Sequence, residues 1–442
     1  MHVLFIILLG LVFIIVTIAK FKIHPFLVLL LAAVLIGFLM GLESQFILKT
    51  ISQGFGNTLS SIGIIIALGT MIGAFLEKSG GTKKIANTLL RIVGQKKSPL
   101  AMNITGMIVS VPVFCDSAFI ILTSLNKALS KKTGISLVVF AVALSTGLYV
   151  SHVFIPPTPG PLAAAAALEA DLGLVILLGG ILAIPTALVG YFWALRCNTL
   201  LPTTEEIIPD NTVETTEKLP SLLAVLTPIL IPIVLIALQS VASYPTAPFG
   251  TGTLVDVLAF IGHPIPALFI GILFAVGLVY KTTKGQERLT WISTSLKDAG
   301  VIILITGAGG ALGNILRAAE LGSLIETYVA EIQLGLFLPF ILAAILKTAQ
   351  GSSTVAIITT ATIIAPLTTS LGLDTEIAKA LAVLAIGAGS MTVSHINDSY
   401  FWVVSQFSGM TTKTTLKSHT LATFFQGIVA IVLLYILQLV FT

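Results

Sequence analysis

Apolar residues in this chain run in long blocks separated by short polar stretches. The spacing of every third or fourth residue expected of a helix lying against water is largely absent. A helix that crosses a hydrocarbon core about 30 Å thick needs roughly 20 mostly apolar residues. By that measure ten blocks predict full crossings, near 3–19, 25–42, 57–76, 135–168, 173–195, 221–240, 263–280, 299–316, 380–408 and 420–441, which puts both termini on one side. The first block lacks a basic start and an obvious small-residue cleavage site. Lys20 and Lys22 follow it, so it reads as a retained span rather than a signal peptide.

Two further apolar stretches do not read as single crossings. Residues 99–130 carry Val111-Pro112-Val113-Phe114-Cys115-Asp116-Ser117 at their middle, and residues 336–368 carry Gln350-Gly351-Ser352-Ser353-Thr354. Each has two short apolar arms around a polar centre, the pattern of a re-entrant hairpin. Non-helical backbone at that depth is tolerated only where protein or water covers it. Two of the full spans are themselves interrupted. Residues 135–168 contain Pro156, Pro157, Pro159 and Pro161, which remove four amide donors and stop a continuous helix; 380–408 contain Ser390 through Ser399 with Asp398 among them.

Composition sharpens this reading. Hydrophobic residues make up 56% of the 442 and charged residues only 10%, against roughly 25% charged in soluble domains; mean hydropathy is +1.06. So few polar side chains cannot cover a surface in water. A soluble enzyme, a disordered chain and a nucleic-acid binder are therefore excluded, and the fold class is an all-α polytopic membrane protein. Cys115 and Cys197 have no metal-binding spacing and read as small apolar fillers. No H-E-x-x-H or nucleophile-elbow pattern occurs, so neither enzymatic activity nor a cofactor or metal is expected.

Charge sets the orientation. With the loop after the first span in the cytoplasm, 19 of the 23 basic residues fall on the cytoplasmic side. The first hairpin then enters from the cytoplasm and the second from outside. The polar segment 196–220 joins two membrane halves, 1–195 and 221–442, on the cytoplasmic side. The halves echo each other. Gly69, Gly73 and Glu77 align with Gly309, Gly313 and Arg317 at an offset of 240, and Val150-Ser151-His152 recurs as Val393-Ser394-His395. Equal order with opposite orientation predicts two inverted-topology repeats, an arrangement characteristic of secondary transporters.

The candidate chemistry lies at the breaks and hairpin tips. A half-helix starting near Pro161 turns a partially positive end toward the protein's middle, where an anion is favoured. Asp398 at membrane depth is a proton or cation site, or else a helix cap. His152 and His395 are candidate proton carriers, or buried histidines that donate one hydrogen bond. Asp116 and Ser117 sit at the first tip, and Gly351, Ser352, Ser353 and Thr354 at the second, where hydroxyls either cap helix starts or meet a ligand. Lys347 either pairs with a substrate carboxylate, Asp116 or Asp398, or snorkels to the interface.

At these residues the chain resembles the gluconate permease (GntP) family of proton-coupled sugar-acid symporters, within the ion transporter superfamily. The resemblance rests on Gly54-Phe55-Gly56-Asn57, Leu76-Glu77-Lys78-Ser79-Gly80-Gly81, Phe114-Cys115-Asp116, His152 with Pro156–Pro161, Gly307–Gly310, Gln350–Ala356 and, most specifically, Ser394-His395-Ile396-Asn397-Asp398-Ser399 with Phe401-Trp402. It implies a multi-pass protein of the bacterial cytoplasmic membrane, often dimeric, that imports gluconate or a related hydroxy acid with protons. Substrate contacts are expected from Ser117, Thr158, Gly160, Lys347, Gly351, Ser352, Ser353, Thr354, Ser394, Asn397 and Ser399. Proton coupling is expected from Asp116, His152, His395 and Asp398. Three departures fall in the expected site: Thr158 stands where the family commonly has histidine, Lys347 where it has arginine, and Phe114-Cys115-Asp116 replaces a Phe-x-Glu tip. They leave open which acid is carried, D-serine included. Sodium coupling stays open as well, since sodium sites are built largely from backbone carbonyls. A cation/proton antiporter on the same plan is the rival reading.

Overall fold

The computed structural model describes residues 2–94, 97–200, 219–242, 249, 252–280, 282–318, 334–396 and 398–441. Every regular element among them is helical. The first half comprises α1 (His2–Ala19), α2 (Pro25–Leu39), α3 (Ser44–Lys78), α4 (Gly81–Val93), α5 (Ser98–Val109), α6 (Cys115–Thr133), α7 (Leu137–Phe154), α8 (Pro159–Ala167) and α9 (Leu172–Leu200). The second comprises α10 (Leu222–Ala242), α11 (Thr253–Gly262), α12 (Pro264–Val279), α13 (Gly285–Ala318), α14 (Phe337–Gln350), α15 (Ser353–Ile364), α16 (Glu376–Met391), α17 (Ser399–Phe407), α18 (Thr412–Thr415) and α19 (Leu421–Phe441). Most of the 196–220 linker lies outside the described residues.

The breaks fall where the sequence places them, for identifiable reasons. Helix α7 stops at Phe154 ahead of the proline group, and α8 resumes with Pro159 in its first turn, where a missing amide costs nothing. Helix α14 ends on Gly351 in the left-handed region (φ +93°), and α15 opens on Ser352, whose side chain accepts the Val355 amide. Helix α16 ends at Met391, and α17 begins at Ser399 with Asp398 as its cap. Between them Val393 has φ +59°, a conformation that a β-branched residue holds only under strain.

By length and apolarity, five stretches among the described residues would each cross a membrane: Leu137–Ala167, Leu172–Asn198, Leu222–Ala242, Gly285–Ala318 and Thr412–Phe441. There are seven if the bent helix α3 (43°) and the pair α11–α12 (66°) each count as one. The ten hydropathy blocks include shorter helices that fall below this length, such as the 15-residue α2 and the 16-residue α16. Two helices run well past their apolar blocks, α3 from Ser44 and α13 from Gly285. The last span begins before residue 420, because a π-helical turn, Leu416–Thr420, joins α18 to α19.

Packing is organised on small residues. Helices α3 and α13 lie antiparallel, with Gly54 against Gly310 and Ala311, Leu59 against Gly307, and Gly63 near Ile303. A Cβ at Gly310 would stand 1.9 Å from the Thr58 hydroxyl and 2.7 Å from the Gly54 carbonyl, so the two backbones pack closely, as small residues allow between helices in lipid. Helix α7 is buried from Val138 to Phe154, and α16 is buried through most of its length. They meet where a Cβ at Gly387 would lie 2.4 Å from the Val153 carbonyl. The two interrupted spans thus occupy the centre and bring their broken ends together. Leu177, Ile181, Ile184, Phe269 and Leu273 are among the apolar side chains left on the outside, as lipid contact requires.

The α3–α13 contact makes a two-sided prediction. Gly310→Ala should destabilise the detergent-solubilised protein by about 2–3 kcal/mol or more through overpacking. Gly56→Ala, on the same pair but with open space around it, should instead gain about 0.5–1 kcal/mol. Thermal unfolding of both variants checks the signs.

Candidate functional site

The polar centre is built by helix ends rather than helix faces. Lys347, in the last turn of α14, is 0% exposed. Its ammonium lies 2.6 Å from Asp398 Oδ2 and donates to the Gly351 carbonyl. It also sits 5.6 Å above the Tyr149 ring. A lysine with a four-carbon stem has the reach to snorkel, and this one does not. Asp398 holds it, while Oδ1 of the same carboxylate accepts the Tyr400 amide at 3.0 Å. Asp398 is therefore the cap of α17 and the counter-ion of Lys347 at once. Ser394 adds a 2.5 Å donor to Oδ2.

A hydrogen-bonded chain runs on from there to a residue the sequence reading missed. His419 is fully buried, with Nε2 3.2 Å from Ser394 Oγ and Nδ1 3.0 Å from Ser145 Oγ. Lys347, Asp398, Ser394, His419 and Ser145 thus connect the second hairpin, the second break, the π-helical turn and α7. His395, expected in this place, is half-buried and has Nε2 3.0 Å from the Thr348 carbonyl instead. Val393 is left-handed here, and of the same Val-Ser-His tripeptide the serine is fully buried while the histidine is only half-buried.

The first half contributes His152, Asp116 and Tyr149. His152 is buried, with its ring 6.4 Å from that of Phe114 and stacked 6.5 Å from that of Tyr149. Its Nε2 stands 3.5 Å from Thr354 Oγ1, while its Nδ1 has no partner. Asp116 lies in the first turn of α6, and one of its oxygens is likewise buried without a partner. Both residues feel the charges of Lys347 and Asp398. Tyr149 and Tyr400 complete the walls, their hydroxyls donating to the carbonyls of Ser390 and Ser145. The first-turn ends of α6, α15 and α17 therefore converge on this centre, each with free amides and a partially positive end.

The other expected site residues are spread around this centre. Thr158 is buried in the first break and donates to the Ile155 carbonyl at 2.6 Å. Gly160 lets α8 approach α15, since a Cβ there would meet Ile357 at 2.8 Å. Ser352 caps α15, Ser353 is buried in its first turn, and Ser399 is exposed. Asn397 lies outside the described residues. Ser117 lines a cavity of about 370 Å³ beside Phe114, between the C-terminal half of α3 and the start of α13. A second cavity, about 320 Å³, lies at the other end of the same helix pair, with Asn57, Asn314 and Arg317 in its wall. Among the described residues, no three His, Cys, Asp or Glu side chains gather as a metal would need.

Comparison with known proteins agrees with this architecture. The sequence matches the GntP family permease description over residues 2–440. The chain belongs to the GntP permease family. It is 34% identical over 435 residues to the gluconate permease of Pseudomonas aeruginosa, spanning 96% of this chain and 95% of that one. It is 33% identical over 442 residues to the D-serine transporter DsdX of Escherichia coli K12, spanning 98% and 97%. In structure it is similar to the YdaH transporter of Alcanivorax borkumensis, with a TM-score of 0.60 at 14% identity over 88% of this chain and 87% of that one. This GntP permease is accordingly a membrane transporter rather than an enzyme, a multi-pass protein of the bacterial inner membrane.

The buried ion pair gives a stability test. Asp398→Asn leaves the Lys347 ammonium buried without its counter-charge and should cost about 3–5 kcal/mol. Lys347→Met combined with Asp398→Asn should recover most of that loss while remaining inactive. Thermal melts of the single and double variants, read alongside uptake, check both halves.

Proposed function

We propose that this permease imports a small hydroxy or sugar acid of the gluconate class by proton symport, through two inverted repeats, 1–195 and 221–442, joined by a cytoplasmic linker at 196–220. Ten crossings, two re-entrant hairpins (α5–α6 and α14–α15) and two broken spans (α7–α8 and α16–α17) make up that plan. The order of elements supports it, since a long glycine-bearing helix precedes a hairpin and a broken span in each half. The family membership and the gluconate-carrying relative support the substrate class.

The observation that carries the mechanism is the buried Lys347–Asp398 pair at the meeting of hairpin tip and helix break. An incoming carboxylate competes with Asp398 for the single ammonium. Two carboxylates facing one cation in a dry interior leave an excess negative charge, which a proton arriving with the substrate cancels. The substrate and proton therefore bind together, in the reciprocal sense that linkage requires. The unpartnered Asp116 oxygen and His152 nitrogen support roles in meeting substrate hydroxyls or carrying the proton, with Thr354, Ser353 and the tip amides completing the hydrogen bonding. Lys347 and Asp398 are closed off from solvent, so substrate reaches them only when the hairpins move against the remaining helices.

A second reading rests on Asp116. Its unpaired carboxylate oxygen near a lysine suits a zwitterion, whose ammonium would bind Asp116 while its carboxylate binds Lys347; the similarity to a D-serine transporter agrees with it. Uptake of labelled gluconate and D-serine into vesicles under an imposed proton gradient separates the two. For gluconate transport, Lys347→Gln should lower uptake by about 30-fold or more, and Asp398→Asn should abolish concentration against the gradient. Movement of protons with no organic acid would instead indicate an antiporter.

A further inference from the structure

We propose that the cavity at Arg317 is an outer capture site for the substrate carboxylate, and that the cavity at Glu77 is its repeat-related counterpart on the release side. This rests on the import reading above and on the orientation given by the basic residues. Both cavities lie against the antiparallel pair α3–α13, at opposite ends. Their walls are the same positions used twice. Thr70, Gly73, Ala74 and Glu77 line one, while Gly310, Gly313, Asn314 and Arg317, each 240 residues further on, line the other. Gly54 and Thr58 of the second cavity correspond in the same way to Thr294 and Asp298 of the first. Two open cavities related by the internal repeat are what a carrier needs at its two mouths. Their volumes, about 320 and 370 Å³, lie in the range of small-molecule sites.

The repeat is broken at one charge. Arg317 stands where its counterpart is Glu77. The charged groups facing the outer cavity are Arg317 and Glu169; those facing the inner one are Glu77, Lys78 and Asp298. The Arg317 guanidinium donates to the Ala167 carbonyl at the end of α8 at 3.1 Å and lies 3.5 Å from Glu169, a side chain that is 71% exposed. So loose and wet a pair is easily exchanged for an incoming carboxylate, which a guanidinium fork binds well. Around it Asn57, Thr58, Ser61 and Thr306 offer hydrogen bonds to the hydroxyls of a sugar acid. The inner cavity, with two carboxylates to one ammonium, disfavours the same anion and so speeds its departure. Phe114 lines this cavity, and the same ring lies 6.4 Å from that of His152, so the release side borders the buried centre.

The test is substrate kinetics together with sidedness. In reconstituted vesicles Arg317→Gln should raise the KM for gluconate about five- to tenfold with less than about a twofold change in maximal rate, and remove most of the dependence of KM on ionic strength. Arg317→Lys should restore most of the affinity, and Glu169→Gln should lower KM. Ser61→Cys should react with a membrane-impermeant maleimide from outside the cell, more slowly when gluconate is present, and Thr294→Cys only from the cytoplasmic face. With a wild type that carries gluconate, an unchanged KM in Arg317→Gln, or labelling of Ser61→Cys from the cytoplasm alone, would overturn the capture site while leaving the import reading standing. A wild type that carries neither gluconate nor D-serine would overturn the import reading itself, and the capture site with it.

Discussion

An ammonium group with no exposed surface inside a membrane protein must be neutralised where it lies, and Lys347 is neutralised by Asp398. Around that requirement the centre of the molecule is arranged. For the two charges to meet, α14 must end at Gly351 and turn back, and α16 must stop seven residues short of the carboxylate that starts α17. For those broken ends to be sheltered from lipid, α7 and α16 must run through the middle, with other helices around them. Non-helical backbone at this depth survives because protein surrounds it.

The same interaction links the fold to its use. Single charges in hydrocarbon cost about 2.5–3.5 kcal/mol even on lenient scales, whereas paired ones can be exchanged for other pairs. A permease whose cation already holds an internal carboxylate can trade it for the carboxylate of a substrate, provided that a proton restores neutrality. His419 extends the polar network from Asp398 to Ser145 in α7, so the carboxylate is linked by hydrogen bonds to the opposite broken span. The π-helical turn that carries His419 widens the last helix at that point, and such insertions recur at functional positions.

Much of this was legible in the residues. Prolines at 156, 157, 159 and 161 announced the first break, Gly351-Ser352 the second hairpin tip, and the scarcity of charge singled out Asp116, Lys347 and Asp398. What composition and spacing could not decide was partnership. Lys347 had three possible anions, and only the packing of α14 against α16 selects Asp398. His419 was hidden because Lys413 and Lys417 mark its neighbourhood as a loop, whereas the helix continues through it. His395 stands apart from the buried network in this structure. Its tripeptide matches that of His152, yet here Val393 is left-handed and the histidine is only half-buried. Thr158 and Gly160 also make local framework contacts, a hydrogen bond to Ile155 and a close approach to Ile357, which spacing alone does not reveal.

In the proposed cycle, substrate takes Lys347 from Asp398 and a proton then settles on the carboxylate network. Infrared difference spectroscopy on the reconstituted protein, with and without gluconate, observes this directly. Gluconate should induce a protonated-carboxyl band at neutral pH, which disappears in Asp398→Asn and is retained in Glu169→Gln. A wild-type protein that binds gluconate while its buried carboxylates stay ionised would contradict this cycle.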